Sequence, residues 1–176
     1  VENLNQIGRA EDIRLGWRAN AFVGTALPSL GADRYALITG ASASRNIMPG
    51  DKEIIELNAG LSGRVENSQW QNAVMNFSSR YYWRHSPHRL TYLSAQVDTG
   101  TRLNIDQRLI LGGDNGLRGY PLRYQSGSGR WILTAEQRLF SDWYPFRLTR
   151  VGGAIFFDAG RTWGDNTLPS GLQGTR

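Results

Sequence analysis

From about residue 11 the chain alternates. Ile13, Leu15, Trp17, Ala19, Ala21 and Val23 fall on one side of an extended backbone, and Arg14, Gly16, Arg18 and Asn20 on the other; Phe22 is an apolar exception on the polar side. A period of two marks a β-strand, because successive side chains leave opposite faces. The pattern predicts strands at about 11–25, 34–47, 52–66, 70–84, 89–99, 131–140 and 149–160. It is cleanest at 52–66, where Ile55, Leu57, Ala59, Leu61 and Val65 alternate with Glu56, Asn58, Ser62, Arg64 and Glu66. A helix there would gather Ile55, Asn58, Ala59 and Ser62 into a poor mixed stripe.

Turn residues separate these segments. Pro28 and Gly31 mark a loop at 25–33, Met48-Pro49-Gly50-Asp51 a tight turn, Asn67-Ser68 a short one, His85-Ser86-Pro87-His88 another, and Pro145 the last. Residues 100–130 read as one long, mostly irregular loop and 162–176 as a polar tail or loop, while 1–10 carry no pattern.

The strands are long. Globular strands usually run about five or six residues, whereas about ten residues at a tilt cross a bilayer core. Alternation alone also suits a soluble sandwich. Two details favour a membrane. Trp70, Tyr81, Tyr82, Trp83, Trp131, Trp143, Tyr144 and Trp163 fall near strand ends, as aromatic girdles do; Trp17, in mid-strand, does not fit. Short turns at 48–51 and 85–88 also alternate with the longer connections at 25–33 and 100–130, although 67–69 is short. The fold expected is all-β: an antiparallel up-and-down transmembrane β-barrel over 1–176, with about seven strands and a long lumenal or extracellular loop at about 100–130.

Composition narrows the picture little. The chain has 176 residues, 40% of them hydrophobic, with 21 Gly and a net charge of +5. No apolar run reaches the roughly 18 residues of a transmembrane helix. There is no Cys, so neither a disulfide nor a Cys metal site can form. Lys52 is the only lysine; the remaining cations are Arg, which pairs bidentately with carboxylates. His85 and His88 are the only histidines and are split by Pro87, so no metal or cofactor is expected. No Gly-x-Ser-x-Gly occurs and no enzyme is expected. The chain opens at Val1 without a Met or a leader and reads as an excerpt.

The most specific pattern is LGGDNGLRGYPLR at 111–123, followed by AEQR at 135–138 and FFDAG at 156–160. Leu117-Arg118-Gly119-Tyr120 resembles the Val/Ile-Arg-Gly-Phe/Tyr signature in the sixth extracellular loop of the BamA and two-partner-secretion transporter superfamily of outer-membrane barrels. Leu117 departs mildly from the usual β-branched residue. Glu136 and Arg138 match that family's Glu-x-Arg on the next strand. Phe156, Asp158 and Gly160 match its Phe-x-Asp-x-Gly on the strand after. The resemblance covers residues from about 89 onward; 11–88 match only as generic barrel strands.

Chemistry agrees with it. If Leu133, Leu139, Ile155 and Phe157 face lipid, Glu136 and Asp158 face the lumen from adjacent strands. Two neighbouring carboxylates repel, and a guanidinium between them offers paired donors to both. Arg118 is therefore expected to reach back to them, with Gly119 allowing close backbone approach. Without the resemblance, a solvated Arg118 beside an Asn115-Gly116 turn would serve equally.

The resemblance implies a non-covalent outer-membrane assembly or polypeptide-translocation factor in a Gram-negative cell. Its partners would be outer-membrane lipid and unfolded or nascent outer-membrane or secreted clients, taken by strand addition. Such barrels have sixteen strands, so this chain would run from about strand seven to thirteen, without the periplasmic domains that normally precede them. A half-sheet has two open edges, so the chain is expected to be part of the larger barrel or a small barrel closed by self-association. The alternative is a soluble Arg-rich β-domain that binds nucleic acid or another polyanion. The spread of Arg among Glu and Asp over most strands argues against nucleic acid.

Overall fold

The computed structural model describes residues 12–145 and 151–164. The start of the last expected strand at 149–150, the residues just after Pro145 and most of the tail lie outside that range. Among the described residues nine strands follow in order: β1 Gly16–Ala26, β2 Ala36–Gly50, β3 Glu53–Glu66, β4 Gln69–Ser86, β5 Arg89–Thr101, β6 Leu109–Leu111, β7 Gln125–Gly127, β8 Gly129–Phe140 and β9 Gly152–Trp163. Seven form one antiparallel sheet in the order β1-β2-β3-β4-β5-β8-β9; β6 and β7 pair separately. All seven expected strands are present. The protein is thus all-β and antiparallel, and the sheet is open, with β1 and β9 each having one neighbour. Both edge strands run in the same direction.

Several boundaries differ from the sequence reading; the turn expected at 85–88, for one, is shorter because His85 and Ser86 belong to β4. β1 starts at Gly16 rather than near 11, which puts Trp17 at a strand end beside the other terminal aromatics. Met48-Pro49-Gly50 belongs to β2, past a register irregularity between Ile47 and Gly50, so the turn is tighter than four residues. The loop at 100–130 is shorter and more ordered than expected. β5 runs to Thr101, β8 starts at Gly129, and between them lie a 3₁₀ turn at Ile105–Gln107 and the β6–β7 hairpin. Asn67 and Ser68, at φ 47° and 62°, make the two-residue hairpin between β3 and β4.

Register carries one face across the whole sheet. Ala19, Ala43, Ala59 and Phe77 are linked pairwise, as are Ala21, Ala41, Leu61 and Met75; the row continues through Val97 and Trp131 from Phe77. This face is apolar and exposed: Val23, Leu61, Met75, Val97, Leu133 and Phe157 all leave more than 40% of their surface open. The opposite face carries the polar residues, yet it holds the buried ones. Ile54, Tyr82 and Leu90 cluster there at the short-turn end, with Met48, Tyr92 and Phe140 against them. Tyr82, grouped above with the girdle aromatics, in fact turns to this inner side and is 3% exposed. Leu111, Leu117 and Ile132 form a second cluster where the 102–128 loop meets the sheet. Phe22, the exception in β1, stands opposite Gly40, where a Cβ would run into its ring. The glycine leaves a flat place that the aromatic covers.

Candidate functional site

The 102–128 loop folds back over the polar face of β8 and β9. A bridge between Gly112 and Asn115, closed by the Asn115 N–H on the Gly112 carbonyl at 2.9 Å, starts its inner turn. This turn ends at Asn115, so the Asn115-Gly116 pair of the solvated-Arg118 alternative does not form its centre. Leu117 then drops into the cluster with Leu111 and Ile132, 3% exposed. The next turn is closed by the Tyr120 N–H on the Leu117 carbonyl at 3.3 Å, with Gly119 at φ +86°. A positive φ at that third position is what a type II turn requires. Arg118 is left at the apex, aimed at the sheet.

Arg118 meets both carboxylates. Its Nε donates to Asp158 Oδ2 at 2.8 Å and its Nη2 to Asp158 Oδ1 at 2.9 Å. Its backbone N–H donates to the same Oδ2 at 3.2 Å. Nη1 donates to Glu136 Oε2 at 2.6 Å. The guanidinium lies over the Phe156 ring at 3.6 Å from its centroid. Arg138 adds a second cation, its Nε donating to Glu136 Oε1 at 2.7 Å while its guanidinium faces the Tyr92 ring at 4.8 Å. The acids are nearly buried, Asp158 at 5% and Glu136 at 9% side-chain exposure, against 40% for Arg118. Charge-assisted, bidentate bonds of this kind are the strong ones. The hydrogen bonds that Arg118 donates to Asp158 first, outweighing partial desolvation and joined by that to Glu136, hold its pKa above arginine's ordinary value.

Every residue singled out from the sequence lies here except one in part. Leu117, Arg118, Glu136, Arg138, Phe156 and Asp158 touch as described. Gly160 also has a definable place: a Cβ on it would come 2.8 Å from the Trp131 carbonyl and 3.3 Å from Leu111 Cδ2. Tyr120 makes none of the bonds to the acids; it is 49% exposed and packs at a tilt of 51° against Tyr124, ring centroids 4.8 Å apart. His85 and His88 sit elsewhere, bonded to Thr91 at 2.7 Å and Asp142 at 2.8 Å.

Two further anchors escaped the sequence reading. Asp98, 3% exposed, stands opposite Arg130 in the β5–β8 register and accepts from its Nε at 2.6 Å. Arg130 Nη1 donates onward to the Ile110 carbonyl at 2.6 Å, tying β6 to the wall. Gln125 Oε1, from β7, accepts the Thr162 N–H of β9 at 2.9 Å. The available signal was Asp98 itself, an acid on the polar side of β5 just before the loop. Its partner became visible only with the register. The site offers fixed charge and a tethered loop; no nucleophile with an adjacent base is among its described residues.

Comparison with known protein families, with curated proteins and with solved structures gives no match for this chain.

Proposed function

We propose that this sheet is a stretch of wall from an outer-membrane β-barrel of the BamA and transporter type, which inserts or translocates unfolded polypeptide clients without covalent chemistry. The observation that carries the reading is the bridge from Arg118 to Glu136 and Asp158 on the polar face of the sheet. It joins the three motifs on which the family resemblance rests. In this reading the polar face is the lumen, the loop is a plug fixed to the wall, and the rigid wall supports the client's strand addition elsewhere on the barrel.

The distribution of burial supports a membrane. A water-soluble sheet buries its apolar face and wets its polar one, and soluble monomers rarely leave a large contiguous apolar patch open. Here Leu61, Met75, Phe77, Leu133 and Phe157 are open while Asp98 and Glu66 are buried. Several arginines of the polar face are engaged by acids, as in Arg80–Glu56, Arg130–Asp98 and Arg138–Glu136. That pairing weighs against a surface held ready for a polyanion.

Strand direction bears on closure. Because β1 and β9 run the same way, an antiparallel barrel closes on this sheet only with an odd number of strands between them. A sixteen-stranded barrel meets that condition. Two copies of this sheet in the same membrane orientation would instead meet in parallel seams, so the larger barrel is the better supported of the two arrangements.

The test is a client-folding assay. The chain, within its parent barrel, is placed in vesicles and the folding rate of a small unfolded outer-membrane polypeptide is followed. Acceleration that falls when Arg118 is replaced by Ala is the expected result; a rate equal to that of empty vesicles overturns the reading.

A further inference from the structure

Among the described residues, four charged side chains share the parity of the face proposed to meet lipid: Arg45, Glu53, Arg89 and Arg161; of these Arg45 stands beside an apolar depression, well away from the loop. Arg45 pairs in register with Trp17 on β1 and Leu57 on β3, so it projects from the apolar side. It is exposed, its guanidinium stacks on the Trp17 ring at 5.1 Å from the centroid, and no ion pair to it occurs among the described residues. An unpaired arginine on a lipid face is costly at mid-membrane, and the cost falls away near the headgroups. Arg45 lies toward the short-turn end of the sheet, level with Trp17 at the start of β1, where an aromatic girdle belongs.

The surface next to it is shaped. Two residues along β2 from Arg45, on the same face, begins a shallow apolar depression with a floor of Ala21, Ala41, Ala43 and Ala59, bounded by Leu61 and Phe77. One strand step of two residues is about 6.6 Å, so a phosphate on the guanidinium would leave an attached acyl chain lying along the depression.

We propose that Arg45 and Trp17, with this depression, form a binding site for one anionic phospholipid in the leaflet on the short-turn side. The proposal rests on the membrane reading above. Arginine supplies charge and paired donors to the phosphate diester, Trp17 holds the guanidinium at headgroup depth, and the alanines leave room for a chain that larger side chains would exclude. A zwitterionic lipid presents the same phosphate with its charge offset by its own ammonium, so it is held less well.

The experiment uses the parent barrel that contains this chain, refolded into vesicles of mixed phosphatidylglycerol and phosphatidylcholine. Insertion is read by protection from trypsin. The protein is then extracted in mild detergent, and retained lipid is counted by native mass spectrometry. Wild type should keep phosphatidylglycerol over phosphatidylcholine by about fivefold, the preference expected from one basic residue at an anionic surface. Arg45→Gln should abolish the preference, Arg45→Lys should keep most of it, and Arg161→Gln, on the same face at the far end, should leave it unchanged. An inserted, protected wild type without preference, or an Arg45→Gln variant that keeps it, overturns the lipid site alone. A parent barrel that never becomes protected overturns the membrane reading and the lipid site with it.

Discussion

Gly160 lies directly against Leu111: a Cβ at 160 would sit 3.3 Å from the leucine Cδ2 and 2.8 Å from the carbonyl oxygen of Trp131. The glycine of β9 is therefore the recess into which the loop's fully buried leucine fits. Gly160→Ala should push Leu111 outward against a backbone that cannot yield, at a cost of about 1–3 kcal/mol for overpacking. Limited proteolysis of the 102–128 loop is the measurement. Faster cleavage with the sheet intact is expected, and wild-type resistance would count against a seated loop.

The Arg118 bridge makes a sharper prediction, because it is shared. Removing Arg118 leaves the nearly buried Asp158 without its cation and Glu136 with Arg138 alone, while removing Asp158 leaves Arg118 with Glu136. Arg118→Ala and Asp158→Asn should each cost about 2 kcal/mol, the upper range for charged hydrogen bonds reduced for the partial exposure of Arg118. The double variant should lose clearly less than the sum. Arg118→Lys should recover little, since an ammonium cannot engage Asp158 side-on and reach Glu136 at once. Thermal unfolding of the wild type and these four variants decides it, and strictly additive losses would show that Arg118 and Asp158 act separately.

The two faces of β4 can be told apart by one step along the strand. Phe77 projects from the apolar face and Ser78 from the polar one. Phe77→Arg should reduce folding into zwitterionic vesicles by about 2–4 kcal/mol if residue 77 lies near mid-membrane. Ser78→Arg, in a wet lumen, should change it by less than about 1 kcal/mol. Equal effects at 77 and 78 would remove the basis for assigning lipid to one face.

What the sequence revealed follows from how each feature is encoded. The strands were legible because alternation is local: Ile55 to Val65 declares its period without reference to any other segment. The Arg118 bridge was legible because the Leu117–Tyr120 stretch resembles a known motif and because Glu136 and Asp158 stand opposite in parity to Leu133, Leu139, Ile155 and Phe157; parity alone left a solvated Arg118 equally open. The β6–β7 hairpin was not. Leu109–Leu111 and Gln125–Gly127 are three residues each, too short for a period, and they pair only because Leu111 and Arg130 fix them to the wall. Tyr82 was misplaced for a related reason: aromatic identity suggested a girdle, while its parity in β4, shared with Arg80 and Arg84, pointed inward. Parity was the better guide.

Asp98 and Arg130 form the second tether, and it should be at least as sensitive as the first. Both side chains are less exposed than Arg118, at 5% and 19%, and Arg130 also holds the Ile110 carbonyl. Arg130→Met removes the cation and leaves Asp98 with only the Gln96 amide, which donates to Oδ2 at 2.8 Å. Breaking one side of a buried pair costs about 3–5 kcal/mol, so a loss near the lower end is expected. Replacing both partners, as Asp98→Asn with Arg130→Met, should restore part of it by removing the stranded charge. Hydrogen exchange at the amides of 109–111 separates this from a general weakening. Those amides should lose protection in Arg130→Met while those of β2 and β3 keep theirs, and unchanged exchange at 109–111 would mean that Arg130 does not hold the loop.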